Sequence, residues 1–143
     1  MNGDHLLDLV VIDERTGPAI FYGRPDMTFG PPVPLGDAKA VPYAMEVADL
    51  DQNGTPDIIL GFVESRPIVY FNDGGDTFTP VVFGDDEGTA YGFAVGDLNE
   101  DGLLDIAMAR SDARNMLYFG SGIARKLPGV DRQRVESLIR SYQ

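Results

Sequence analysis

Apolar residues in this chain come in short alternating runs rather than in helical stripes, and the runs recur at a fixed interval. β-rich runs stand at residues 9–12, 58–62 and 106–109. A run carrying an aromatic pair follows each of them, at 19–22, 68–71 and 116–119. Further runs precede the second and third sets, at 44–48 and 92–96. Others trail the first and second, at 29–35 and 78–83. Runs of this length, bounded by Gly, Asn, Asp and Pro, predict strands. Asn72-Asp73-Gly74-Gly75 favours a tight hairpin, because those residues tolerate positive φ.

The interval is a true repeat. The pairs Phe21-Tyr22, Tyr70-Phe71 and Tyr118-Phe119 are 49 and 48 residues apart, as are Asp8, Asp57 and Asp105. Phe29 and Phe78 are 49 apart, while Gly36 and Gly84, and Tyr43 and Tyr91, are 48 apart. Unrelated residue types keeping one ruler make coincidence a poor explanation. Four strands per 48 residues is the pattern of β-propeller blades, whose apolar faces are buried by neighbouring blades. The expected fold is therefore all-β, with about two and a half to three four-stranded antiparallel blades. The units are a partial one at 1–36, then 37–84 and 85–124.

Both ends depart from the pattern. The first unit begins inside its loop. The third has Lys126 where Phe78 predicts a fourth strand, so that strand is expected to be lost. Beyond it lies a basic tail, 125–143. There Val135, Leu138, Ile139 and Tyr142 follow i, i+3, i+4, i+7 spacing, with Asp131 as N-cap. This predicts a short amphipathic helix over 130–143, with Arg132, Arg134 and Arg140 mostly off its apolar stripe.

Charge adds a partner class to exclude. The 143 residues carry 23 acids and 11 bases, a net charge of −12, which argues against nucleic acid. Residues 1–124 hold 21 acids and 6 bases (−15), and 125–143 hold 2 acids and 5 bases (+3). An apolar content of 43% suffices for a core of domain size. With no cysteine the fold cannot rest on disulfides. No run approaches the 18 apolar residues of a membrane span. No signal peptide opens the chain, and Met1 leads straight into a loop motif, as in a segment of something longer or a short homologue.

The acids concentrate where first and second strands meet. Asp49, Asp51, Asn53 and Asp57 occupy positions 1, 3, 5 and 9 of one loop, and Asp97, Asn99, Asp101 and Asp105 those of the next. Glycine stands at position 6 in both. Alternate residues of a tight loop present oxygens to one side, which suits Ca²⁺ with its 6–8 oxygen ligands and flexible geometry. Position 12 holds Leu60 and Met108 rather than a bidentate glutamate, so these are not EF-hands. Magnesium, which keeps its water, fits an all-protein cage less well. In the first unit Asn2, Asp4 and Asp8 fall at positions 3, 5 and 9, but position 1 is missing and His5 replaces the glycine, marking a weaker site.

These residues, with Phe83-Gly84 and the run Gly92-Phe93-Ala94-Val95-Gly96-Asp97, resemble the FG-GAP/VCBS repeats of integrin α chains and bacterial surface proteins. The resemblance covers nearly all of 1–124. It implies one Ca²⁺ per loop, with the position-7 carbonyls of Thr55 and Leu103 completing the two ligand sets and Leu6 standing at that position in the weaker one. It also implies a ring of about seven blades, more than this chain holds. Two bound ions would move the net charge from −12 to −8. Calcium loops favour an extracellular or cell-surface location, where free calcium is high.

Other motifs read as structure. Asn53-Gly54-Thr55 is a glycosylation sequon inside a metal loop, where a ligating asparagine makes a poor acceptor. Gly120-Ser121-Gly122 lacks the rest of a phosphate motif and reads as a plain loop. His5 reads as a turn residue. Recurring aromatics read as blade core before sugar platforms. The basic tail reads as a cap on a bare blade face before a site for an acidic partner. The leading expectation is a non-catalytic calcium-binding module for protein or glycan contacts. A carbohydrate-active enzyme would have to use Glu46, Glu64, Asp112 or the Asp85-Asp86-Glu87 cluster, none with an evident partner. A third expectation is self-association, since an open arc of blades leaves apolar faces and strand edges bare.

Overall fold

The computed structural model describes residues 1–36, 40–121 and 140–142. These form eleven strands in three antiparallel sheets. The first sheet contains β1 (Leu9–Asp13), β2 (Gly17–Phe21) and β3 (Val33–Pro34), in that order. The second contains β4 (Pro42–Ala48), β5 (Asp57–Phe62), β6 (Ser65–Asn72) and β7 (Phe78–Val82), again in chain order. The third runs β11-β10-β9-β8, from β8 (Thr89–Gly96), β9 (Asp105–Ser111), β10 (Met116–Phe119) and β11 (Arg140–Tyr142).

The sheets stack face to face, because their inner strands are apolar on both sides. All six residues of β5 are buried. Ile58, Leu60 and Phe62 join Val10, Ile20 and Leu35 in a core between the first and second sheets. Ile59 points the other way and joins Val69, Ile106, Met108 and Tyr118 between the second and third. Burying each such side chain contributes about 1.5–3 kcal/mol, so the middle sheet is held from both faces. Gly61 allows the closest approach: a Cβ there would lie 2.5 Å from the Ala90 Cβ.

Two features were not legible in the alternation. β4 and β8 each carry a bulge, at Tyr43 and at Tyr91, where the register slips against β5 and β9. Bulges re-aim side chains. The two tyrosine rings meet at 4.8 Å with a 54° tilt, and 44% and 56% of their surfaces stay exposed. Repetition of an aromatic therefore means core for Tyr70 and Tyr118, which are buried, but not for this pair. The turn after β6 is also looser than a two-residue hairpin. Asn72 pairs with Phe78, leaving five residues between them, with Gly74, Gly75 and Asp76 at positive φ.

The C-terminal expectations change. Residues 130–139 and Gln143, part of the predicted helix, lie outside the described residues, but Arg140–Tyr142 form a strand, not a helix. β11 pairs antiparallel with β10, Leu117 opposite Tyr142. The third sheet therefore has a fourth strand after all, drawn from beyond the point where the repeat register placed it. Helical spacing of apolar residues did not decide the matter, since a sheet edge offers backbone partners that a sequence window does not show.

Candidate metal centre

Three loops stand at one end of the sheets: loop 1 leads into β1, loop 2 joins β4 to β5 and loop 3 joins β8 to β9. One backbone shape serves all three. Positions 4 and 6 are left-handed in each: Gly3 and His5, Gln52 and Gly54, Glu100 and Gly102. His5 thus adopts, at φ 66°, the conformation that glycine takes in the other loops.

The position-1 aspartates organise the loops from within. Asp49 accepts backbone N–H bonds from Asn53 and Gly54, both 2.9 Å, through its two oxygens. Asp97 does the same with Asp101 at 3.1 Å and Gly102 at 2.9 Å. In the first loop Asn2 Oδ1 accepts from Asp4 at 3.1 Å, and Asp4 Oδ1 from Leu6 at 2.9 Å. Asp101 accepts from Leu103 at 2.9 Å.

Position 9 carries a role that ligand spacing does not reveal. Asp57 is fully buried, and its two oxygens accept from Leu50 N and Asn72 N, each 2.8 Å away. Asp105, also fully buried, accepts from Leu98 N and Gly120 N at 2.8 Å. Asp8 accepts from Gly23 N at 2.9 Å and pairs with the Met1 ammonium. Each carboxylate therefore ties its own loop to the end of the third strand. Burial pushes Asp57 up to about 6, against the two N–H donors, and the charges of Asp49 and Asp73 add to the rise.

Loop 2 gathers its acids most closely. Ligand oxygens of Asp49, Asp51 and Asp57 all lie within 4.8 Å of one another. Calcium–oxygen distances of about 2.3–2.6 Å put ligands on opposite sides of one ion about 4.6–5.2 Å apart, so this spacing is compatible with a single divalent cation. Asn53, at position 5, is held by its neighbours. Its Nδ2 donates to the Asn72 carbonyl at 3.0 Å, while Oδ1 accepts from Thr55 N at 2.6 Å. The Thr55 hydroxyl donates to the Asn72 carbonyl at 2.7 Å.

Among the described residues no other trio of carboxylates meets this spacing. In loop 3 Asn99 takes position 3, its Nδ2 donates to Asp101 at 3.0 Å, and Asp97, Asn99 and Asp101 are all exposed. Asn2 bonds Asp4 in the same way in loop 1, also at 3.0 Å. Neighbouring loops brace loop 2 and the end of β6: Gln52 Nε2 donates to the Gly102 carbonyl and Asn72 Nδ2 to the Met1 carbonyl, each at 2.8 Å.

Of the acids outside the loops, the Asp85-Asp86-Glu87 cluster has a structural part. Asp85 is paired with Arg110, and its Oδ1 accepts from Glu87 N at 3.1 Å, so this cluster holds the connection between the second and third sheets. Gly120 serves Asp105, and Gly122 lies outside the described residues.

Stacked antiparallel sheets of three to four strands, each carrying an Asp-rich loop ahead of its inner strand, define a β-propeller-type interaction module. The profile of the FG-GAP-like repeat matches residues 1–60 and again 49–108, together 108 of 143 residues, and its two placements are offset by the 48-residue period. The chain belongs to the FG-GAP-like repeat family. No curated protein and no solved structure matches it.

Proposed function

We propose that this chain is a non-catalytic calcium-binding propeller module that acts outside the cell or at its surface, presenting its blades to a protein or glycan. The observation that carries the reading is the convergence of Asp49, Asp51 and Asp57 within 4.8 Å. Three carboxylates this close repel one another, and a divalent cation offsets that repulsion. Asp49, Asp51, Asn53 and Asp57 would hold the ion, with the Thr55 carbonyl as a further oxygen. The ion would supply charge neutralisation and a rigid corner rather than reaction chemistry. Asp97, Asn99, Asp101, Asp105 and the Leu103 carbonyl form a second, more open site, and the Asn2, Asp4, Leu6 and Asp8 loop a third and weaker one.

Family membership supports a binding role over an enzymatic one, and engagement of Asp85 by Arg110 removes one candidate acid. Calorimetric titration tests the proposal. Calcium should bind the wild-type chain, with an affinity of order 10⁻⁴–10⁻³ M as in extracellular modules. Asp51→Ala should lose the tighter component. Absence of binding heat together with unchanged melting in excess calcium would overturn it.

A further inference from the structure

We propose that Asn72 is the residue that positions the calcium site of loop 2 and sets it apart from loops 1 and 3. Asn72 matters in this way only if loop 2 binds calcium, as proposed above. It stands at the end of the third strand of its unit, 49 residues after Gly23 and 48 before Gly120, which hold that place in the other two units. Both glycines lie against position 8 of their own loop. A Cβ on Gly120 would sit 2.5 Å from the Leu104 carbonyl oxygen, and one on Gly23 would be closer still to that of Leu7. Loops 1 and 3 therefore close directly onto the strand backbone.

Loop 2 cannot close in that way. Asn72 carries a Cβ, so the Pro56 carbonyl at position 8 must stand farther from that point than its counterparts do. The fully buried amide spans the added distance, Nδ2 donating to the Pro56 carbonyl at 3.2 Å. Nδ2 also reaches the Met1 carbonyl of loop 1, and Oδ1 accepts from Gly74 N at 3.0 Å, which fixes the turn after β6. With its side chain held from three sides, Asn72 offers its main chain to the loop. The carbonyl accepts from Asn53 Nδ2 and the Thr55 hydroxyl, and the N–H donates to Asp57.

The order of amide and carboxylate within the loop changes with it. In loops 1 and 3 the amide at position 3 donates to the carboxylate at position 5, Asn2 to Asp4 and Asn99 to Asp101, both at 3.0 Å. In loop 2 the amide stands at position 5 and bonds the Asn72 carbonyl instead, while position 3 is the carboxylate of Asp51. Asp51 joins Asp49 and Asp57 within 4.8 Å. Asn72 is thus a positioning residue, acting on the site through Pro56, Asn53 and Asp57.

Calcium titration by calorimetry on the full chain, run far below the melting temperature, tests this role, with Asp51→Ala identifying the loop-2 component. Asn72→Gly installs the residue that the other two units already carry. It should weaken the loop-2 component about tenfold or more, as expected for losing two buried hydrogen bonds. Asn72→Ala keeps the Cβ and loses the amide, and should weaken it about threefold to tenfold. Val69→Ala, in the core between the second and third sheets, should lower the melting temperature and leave the affinity unchanged. Wild-type affinity in both Asn72 variants would overturn the positioning role and leave the calcium reading intact. Equal weakening in Val69→Ala would also overturn it, since the loss would then follow stability alone. A wild type with no loop-2 component would overturn both, and that result appears before any Asn72 variant is compared.

Discussion

Gly84 lies directly against the hydroxyl end of Tyr118: a Cβ on the glycine would sit 2.6 Å from the phenolic oxygen. Gly36 stands in the same relation to Tyr70, at 2.2 Å. In both cases a glycine that closes one unit packs beneath a tyrosine on the third strand of the next. Both glycines are left-handed, with φ 65° and 74°. Gly84→Ala should therefore destabilise the fold by roughly 1–3 kcal/mol, combining an unfavourable φ with a steric clash. A denaturant titration showing less than half a kilocalorie would contradict the packing.

The Tyr118 hydroxyl is buried without a hydrogen-bond partner among the described residues, and burial pushes its ionisation up to about 12. Leaving a polar atom in such a place costs about 1–3 kcal/mol. Tyr118→Phe should thus be neutral or stabilising, and it should soften the Gly84→Ala penalty when the two are combined. Thermal melts of the four variants in a double-mutant cycle measure that coupling.

Calcium should raise the melting temperature by mass action. At free calcium one hundred times Kd, the gain is about 2.7 kcal/mol per site. Asp51→Asn should remove most of the loop-2 share while leaving the calcium-free melt close to wild type, which scanning calorimetry with and without chelator would show.

Asp57→Asn should behave differently. An amide keeps one acceptor oxygen, so one of the Leu50 and Asn72 N–H groups loses its partner, at a cost of about 1–3 kcal/mol even without metal. Equal calcium-free stability for Asp57→Asn and Asp51→Asn would refute a structural role for position 9.

The same carboxylate sets a pH dependence. Its folded pKa of about 6 lies above the ordinary 3.8, so the folded chain holds a proton that the unfolded chain has already released. The contribution is complete below about pH 4 and is lost as pH rises through about 6. In calcium-free buffer the stability advantage of wild type over Asp57→Asn should shrink from pH 4 to pH 7. Saturating calcium, which favours the charged form, should remove that trend.

His5→Gly should stabilise the first loop by up to about 1 kcal/mol, since it relieves a left-handed non-glycine residue. A lowered melting temperature would mean that the imidazole makes a contact outweighing its backbone strain.

The sequence by itself determined the sheet period, the inner strands and the loop positions, because each depends on local chemistry repeated in register. Alternation places Ile58 and Ile59 on opposite faces, and glycine at position 6 permits the turn whatever surrounds it. Tertiary structure alone decided the rest. It joined Asp57 to Asn72 N and Asp105 to Gly120 N across fifteen residues, making position 9 a structural tie. It turned Arg140–Tyr142 into a sheet edge against β10, and it brought two bulged tyrosines together in the open. It also drew Asp49, Asp51 and Asp57 within 4.8 Å of one another while leaving Asp97 and Asp101 exposed. These outcomes depend on which backbone groups a neighbouring strand leaves available, and no window along the chain contains that information.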